Sequence, residues 1–139
     1  MIILDTNVVS EFMRARVSKT VSAWLVRVSW PELHVTTITE AELFFGAERL
    51  PAGKQRRQLE ANLEQMFRLQ FNNRVLPFDS AAARNFAEIA VLKKRVGRHY
   101  HYPDTQIAAI ARSRGAAVAT RNVGDFEHCG IQVIDPWTA

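Results

Sequence analysis

Ile2-Ile3-Leu4-Asp5-Thr6-Asn7 is an unbroken apolar run that stops at three polar side chains. A short run without alternation predicts a strand buried on both faces, and Asp, Thr and Asn all suit the start of a helix. A strand handing over directly to a helix is how an α/β chain begins. Asp5 also cuts the run too short for a signal-peptide core or a membrane span, and no later window is apolar for long enough. A cytoplasmic protein is therefore expected.

The same alternation continues outward from this stretch. Helices are predicted from about Val8 to Met13 and from Thr20 to Val28, the second presenting Val21, Trp24, Leu25 and Val28 at helical spacing before Trp30-Pro31 ends it. A strand near His34 to Thr36 leads into Thr37-Ile38-Thr39-Glu40, which has capping-box spacing and predicts a helix to about Leu50. After Pro51-Ala52-Gly53, the residues Leu59, Leu63, Met66, Phe67 and Gln70 predict one amphipathic helix from Lys54 to Phe71. A short strand at 75–78 precedes a helix capped by Asp79-Ser80, whose face is set by Phe86, Ile89, Ala90 and Lys93 and which stops at Gly97. Pro103 suits the first turn of a further helix ending at Gly115. Ala116–Thr120 and Ile131–Ile134 read as the last two strands. The order β-α-α-β-α-α-β-α-α-β-β, with apolar strands, implies a mostly parallel sheet covered on both faces. No repeat or linker divides residues 1–139, so one α/β domain is expected, long enough to bury roughly two thirds of its unfolded surface.

Charge alone says little. Eighteen Lys and Arg oppose 14 Asp and Glu, and the surplus of +4 is spread over both halves of the chain. Two basic clusters stand out, Arg49 with Lys54, Arg56 and Arg57, and Lys93-Lys94-Arg95 with Arg98. The second also suits a helix C-terminus, where cations are favoured. One cysteine, Cys129, excludes an intramolecular disulfide and reads as a small buried apolar residue.

The acidic residues are more informative, because parallel α/β sheets bind ligands at the carboxyl ends of their strands. Asp5 ends the first strand, Asp125 follows the 116–120 strand, Asp104 opens the helix before that strand, and Glu42 lies near the start of the helix after the second. Each has an ordinary role open to it: Asp5 as a helix cap, Asp104 beside a helix dipole, Asp125 as a turn residue. Glu42 sits among apolar neighbours, where a carboxylate needs a partner or a cation. Together the four are harder to explain. Like charges about 4 Å apart repel by roughly 4 kcal/mol at an effective dielectric of about 20. No Lys or Arg accompanies all four positions, so a hard divalent cation held by oxygen, Mg²⁺ or Mn²⁺, is the natural counter-charge.

Ile2-Ile3-Leu4-Asp5-Thr6-Asn7, Thr39-Glu40-Ala41-Glu42-Leu43 with Gly46, Asp104 before Ile107-Ala108-Ala109, and Thr120-Arg121-Asn122 with Asp125-Phe126 resemble the PIN-domain ribonucleases. The likeness is nearest to the VapC toxins of type II toxin–antitoxin pairs, in their FitB-like branch, and spans essentially the whole chain. It implies a three-layer α/β/α sandwich. It also implies that Asp5, Glu42, Asp104 and Asp125 are the catalytic quartet holding one or two Mg²⁺ or Mn²⁺ ions. Thr6 and Asn7 would buttress the first carboxylate, and Thr120 and Asn122 would orient the site. A metal-activated water would attack the RNA phosphodiester in line, leaving a 5′-phosphate and a 3′-hydroxyl. A cognate antitoxin with a DNA-binding domain would inhibit the enzyme, and a homodimer would join it in a larger assembly on operator DNA. Phe44, Phe45, Leu50 and Leu59 are candidate anchors for the antitoxin.

Substrate contact is expected from the loop before Asp104. There Tyr100 and Tyr102 would stack on bases of single-stranded RNA, while Arg98, Lys93 and Lys94 hold phosphate. Two other classes remain open. One is a PIN-like module that binds RNA or protein without cutting, against which the retention of four carboxylates argues. The other is a phosphate-transferring haloacid-dehalogenase or receiver fold, which needs a second acid near Asp5 and a later Lys that this sequence does not supply. No Gly-x-Gly-x-x-Gly follows a strand, so dinucleotide binding has no motif.

Overall fold

The computed structural model describes residues 1–139. Five strands, β1 (Ile2–Leu4), β2 (Leu33–Thr36), β3 (Val75–Leu76), β4 (Ala117–Ala119) and β5 (Val133–Ile134), form one sheet in the order β3-β2-β1-β4-β5. Every pairing is parallel. Six helices fill the crossovers: α1 (Thr6–Phe12), α2 (Lys19–Arg27), α3 (Thr37–Glu48), α4 (Lys54–Gln65), α5 (Ser80–Arg95) and α6 (Tyr102–Arg114). None is long and apolar enough to cross a membrane.

The opening run works as expected. Successive strand side chains point to opposite faces, so Ile3 and Leu4 enter different cores. Ile3 and Val118 pack with α5 and α6 through Ile89, Ile107 and Ile110, while Leu4 and Ala119 pack with Val8, Val9, Trp24 and Leu63 from α1, α2 and α4. The result is the expected α/β/α sandwich. The chain runs from β1 towards one edge through β2 and β3, then crosses back to place β4 on the other side of β1. The carboxyl ends of β1 and β4 therefore flank the point where strand order reverses, the usual ligand crevice of such sheets.

Two local expectations are corrected. The box at Thr37 is one residue late: Thr36 is the N-cap of α3, and its hydroxyl accepts the Thr39 N–H at 3.2 Å. Thr36 still has extended backbone as the last residue of β2, which is what a cap requires. The helix from Lys54 does not run regularly to Phe71. Residues Met66–Gln70 form a π-helical turn, closed by the Phe71 N–H donating to the Met66 carbonyl at 2.9 Å. The extra residue rotates the stripe, so Phe71 is buried and Gln70, expected on the apolar face, is exposed.

Candidate active site

Asp5 is one residue beyond the pairing of Leu4 with Ala119, and its own N–H extends the ladder to the Ala119 carbonyl at 2.9 Å. This fixes a carboxylate at the strand-order reversal with only 3% of its surface exposed. Oδ1 accepts the Thr6 N–H at 2.8 Å, so the capping role is real. Oδ2 does something else, accepting Asn7 Nδ2 at 2.9 Å and the Thr120 hydroxyl at 2.7 Å. Asn7 bridges the two strand ends, since its Oδ1 also accepts the Arg121 N–H at 3.2 Å. Thr120 is fully buried and its oxygen accepts the Asn122 N–H at 3.0 Å. The contribution of Asn122 is thus made by its backbone.

Thr6 supports the carboxylate expected and a second one besides. Its N–H holds Asp5, but its hydroxyl donates to Glu42 Oε1 at 2.7 Å and lies 2.9 Å from the Thr39 hydroxyl. Glu42 is exposed rather than buried among its apolar neighbours, so its partner is a threonine at the mouth of the site. Asp104 lies half-buried in the first turn of α6, and Asp125 sits in a 3₁₀ turn, Val123–Phe126.

Electrostatics connect all four. Burial raises the Asp5 carboxyl above its ordinary range despite three hydrogen bonds to it, and the charge of Glu42 adds to this. Asp104 is pushed up to about 6, first by burial, then by the charges of Asp5 and Asp125, against the opposing influence of His101 and Lys93. No group of three His, Cys, Asp or Glu side chains stands ready to hold a metal ion between them.

Because Asp104 and Asp5 bind protons more tightly in the folded chain than in the unfolded one, their ionisation opposes folding. The stability they confer is fullest below about pH 4 and is lost as pH rises through about 6. Thermal unfolding in EDTA should therefore show the midpoint falling from pH 5 to pH 7, and Asp104→Asn should flatten that slope. An equal slope in the variant would contradict the assignment.

Lys93 is the residue whose place is most unexpected. It is 3% exposed, and its Nζ donates to the Asp125 carbonyl at 2.7 Å and to the Thr105 hydroxyl at 3.4 Å. A cation therefore lies against the backbone of the turn that carries Asp125, and its charge also acts on Asp104. Its place in the apolar phase of Phe86, Ile89 and Ala90 is the signal that it points inward. Lys94 is exposed, and Arg98 pairs with Glu127 at 2.8 Å. The tyrosines turn elsewhere: Tyr102 stacks on Phe86 with centroids 5.7 Å apart, and Tyr100 meets Tyr102 edge-on at 5.7 Å. His99 and His101, not the tyrosines, line the cavity beside Asp125.

The PIN-domain family model matches residues 2–130. The chain belongs to the PIN-domain family. This PIN domain is 40% identical over 137 residues to the VapC ribonuclease Y4jK of Sinorhizobium fredii, covering 99% of this chain and 98% of that one. It is 38% identical over 137 residues to the toxin FitB of Neisseria gonorrhoeae, covering 99% of each. Among solved structures, FitAcB from Neisseria gonorrhoeae contains a chain with the same fold at a TM-score of 0.92 and 37% identity over the full length of both. A structure of FitAB bound to an IR36 DNA fragment matches with a TM-score of 0.91 and 36% identity over 99% of this chain and 96% of that one.

Proposed function

We propose that this protein is the toxin of a type II toxin–antitoxin pair, an endoribonuclease that depends on Mg²⁺ or Mn²⁺ and is inhibited by its cognate antitoxin. The observation that carries the reading is the electrostatic coupling of Asp5 with Glu42 and of Asp104 with Asp5 and Asp125 at the strand-order reversal. The donor set fits a hard cation: it consists of carboxylate oxygens, with no thiolate among them, and carries negative charge that only a cation would relieve.

Asp5, Glu42, Asp104 and Asp125 would hold the ion. When bound, it would activate water and offset the charge that grows on the phosphate. The chain's own contribution is placement. Thr6 fixes Glu42, while Asn7 and Thr120 fix Asp5, and Lys93 anchors the turn that carries Asp125. Hydrolysis by in-line attack would leave a 5′-phosphate and a 3′-hydroxyl.

The antitoxin fits an apolar groove between α1, α3 and α4, lined by Met13, Leu43, Leu50, Leu59 and Leu63 and reaching Glu42. A segment seated there would cover the mouth of the site. The structure of FitAB bound to an IR36 DNA fragment supports a partner that joins the toxin to DNA; in the assembly proposed, that DNA is the operator and the toxin is a cytoplasmic homodimer.

Incubating the purified protein with cellular RNAs, with and without Mg²⁺ or Mn²⁺, tests the activity. Cleavage is expected only with the metal, and no cleavage under any condition overturns the reading. A readout independent of turnover is thermal stability: Mg²⁺ should raise the midpoint more at pH 7, where Asp104 is ionised, than at pH 5.

A further inference from the structure

Beside the carboxylates, the end of α5 and the turn carrying Asp125 enclose a cavity of about 270 Å³ with no apolar residue in its lining. Its walls include Lys93, Arg98, His99 and His101, and Asp125 is shared with the candidate active site. We infer that this cavity seats a backbone phosphate of single-stranded RNA adjoining the one cleaved, with Lys93 and Arg98 as its charge contacts and Glu127 as an internal competitor for Arg98. The inference rests on the endoribonuclease reading and adds where the rest of the strand is held.

Lys93 is the first argument. An ammonium has three N–H donors, and only neutral oxygens lie within hydrogen-bond reach of this one, at 2.7 and 3.4 Å. It forms no ion pair, unlike the six cationic groups that do. A buried cation with a free donor at a cavity wall favours an anion there.

The lining is the second. Without an aliphatic side chain in its lining the cavity does not suit an apolar group, whereas phosphate contacts come from such Lys and Arg groups. Arg98 is the third. Its guanidinium reaches the space facing Gly124, 4.0 Å from where a Cβ would stand, yet its charge is engaged by Glu127 on the exposed rim at 2.8 Å. Exposed pairs of this kind are weak, so an arriving phosphate can take the guanidinium from the carboxylate.

The test is binding of a fluorescently labelled single-stranded oligoribonucleotide in EDTA, where no metal-dependent cleavage interferes. Arg98→Ala should weaken binding about fivefold and flatten the plot of log affinity against log salt by about 0.7, the loss of one single-strand phosphate contact. Glu127→Gln should strengthen binding severalfold. Lys93→Met should weaken it, but its burial puts folding at risk, so the two exposed substitutions decide. Unchanged affinity and salt slope in both Arg98→Ala and Glu127→Gln would overturn the assignment. The two readings fail separately: cleavage with unaltered binding removes the phosphate seat and leaves the nuclease. The expected binding changes with no cleavage at any metal concentration do the reverse.

Discussion

Asp5→Asn should abolish the proposed metal-dependent RNA cleavage, with the rate falling by at least about 10³-fold, the equivalent of losing several kcal/mol of transition-state stabilisation. The substitution keeps shape and an acceptor oxygen but removes the negative charge most enclosed by the protein. It should cost little stability. Burial already raises the Asp5 carboxyl, so the charge is held against an unfavourable environment, and an amide avoids that cost. One N–H of the amide then faces the donors Asn7 Nδ2 and Thr120 Oγ1, a partial offset that the Thr120 hydroxyl can relieve by reversing its direction. The expected result is an inactive protein whose thermal midpoint stays within a few degrees of the parent. Cleavage at the parent's rate would remove Asp5 from the mechanism.

The largest effect on stability belongs to Phe126→Ala. Phe126 is 1% exposed and packs in the core between the sheet and α5 and α6. Truncating a buried Phe typically costs about 3–5 kcal/mol, a third or more of a small domain's net stability of roughly 5–15 kcal/mol. For a chain of this length the midpoint should fall by about 10–20 °C. The same side chain anchors the turn that presents Asp125, so cleavage should decline at temperatures where the variant is still folded. Thermal denaturation followed by circular dichroism, with activity assayed well below the midpoint, separates the two effects. A loss below about 1 kcal/mol would mean that the turn does not depend on this anchor.

Much of the fold is legible because its strands are short and wholly apolar. Ile2-Ile3-Leu4 and Ala117-Val118-Ala119 have no alternation to misread, and the helices between them carry caps that sequence can locate to within a residue or two. The carboxylates are legible for the same reason: Asp5 and Asp125 follow strands, Asp104 opens a helix and Glu42 lies early in one. The π-helical turn after α4 is not, because Leu63, Met66 and Phe67 suit a regular helix equally well until Phe71 competes with Gln70 for the core. That Thr6 supports Glu42 as well is likewise hidden, since it depends on how closely α1 approaches α3. Lys93 is readable in retrospect. A lysine in phase with Phe86, Ile89 and Ala90 either breaks the stripe or serves a buried anion or carbonyl, and only tertiary structure decides between them. The packing of the tyrosines is not legible either, because aromatic residues near a basic cluster suggest stacking on RNA, and only the fold shows that Phe86 offers Tyr102 a ring on the protein itself.

The hydrogen bond from Thr120 to Asp5 spans 115 residues of sequence. During synthesis the first carboxylate leaves the ribosome early with Thr6 and Asn7, but Thr120, and Asp125 after it, emerge only when most of the chain has been made. An N-terminal fragment lacks β4, which pairs with β1, and so never possesses the constellation. If the protein cleaves RNA as proposed, its reactive centre would be among the last features to mature, a safeguard supplied by topology before any partner acts.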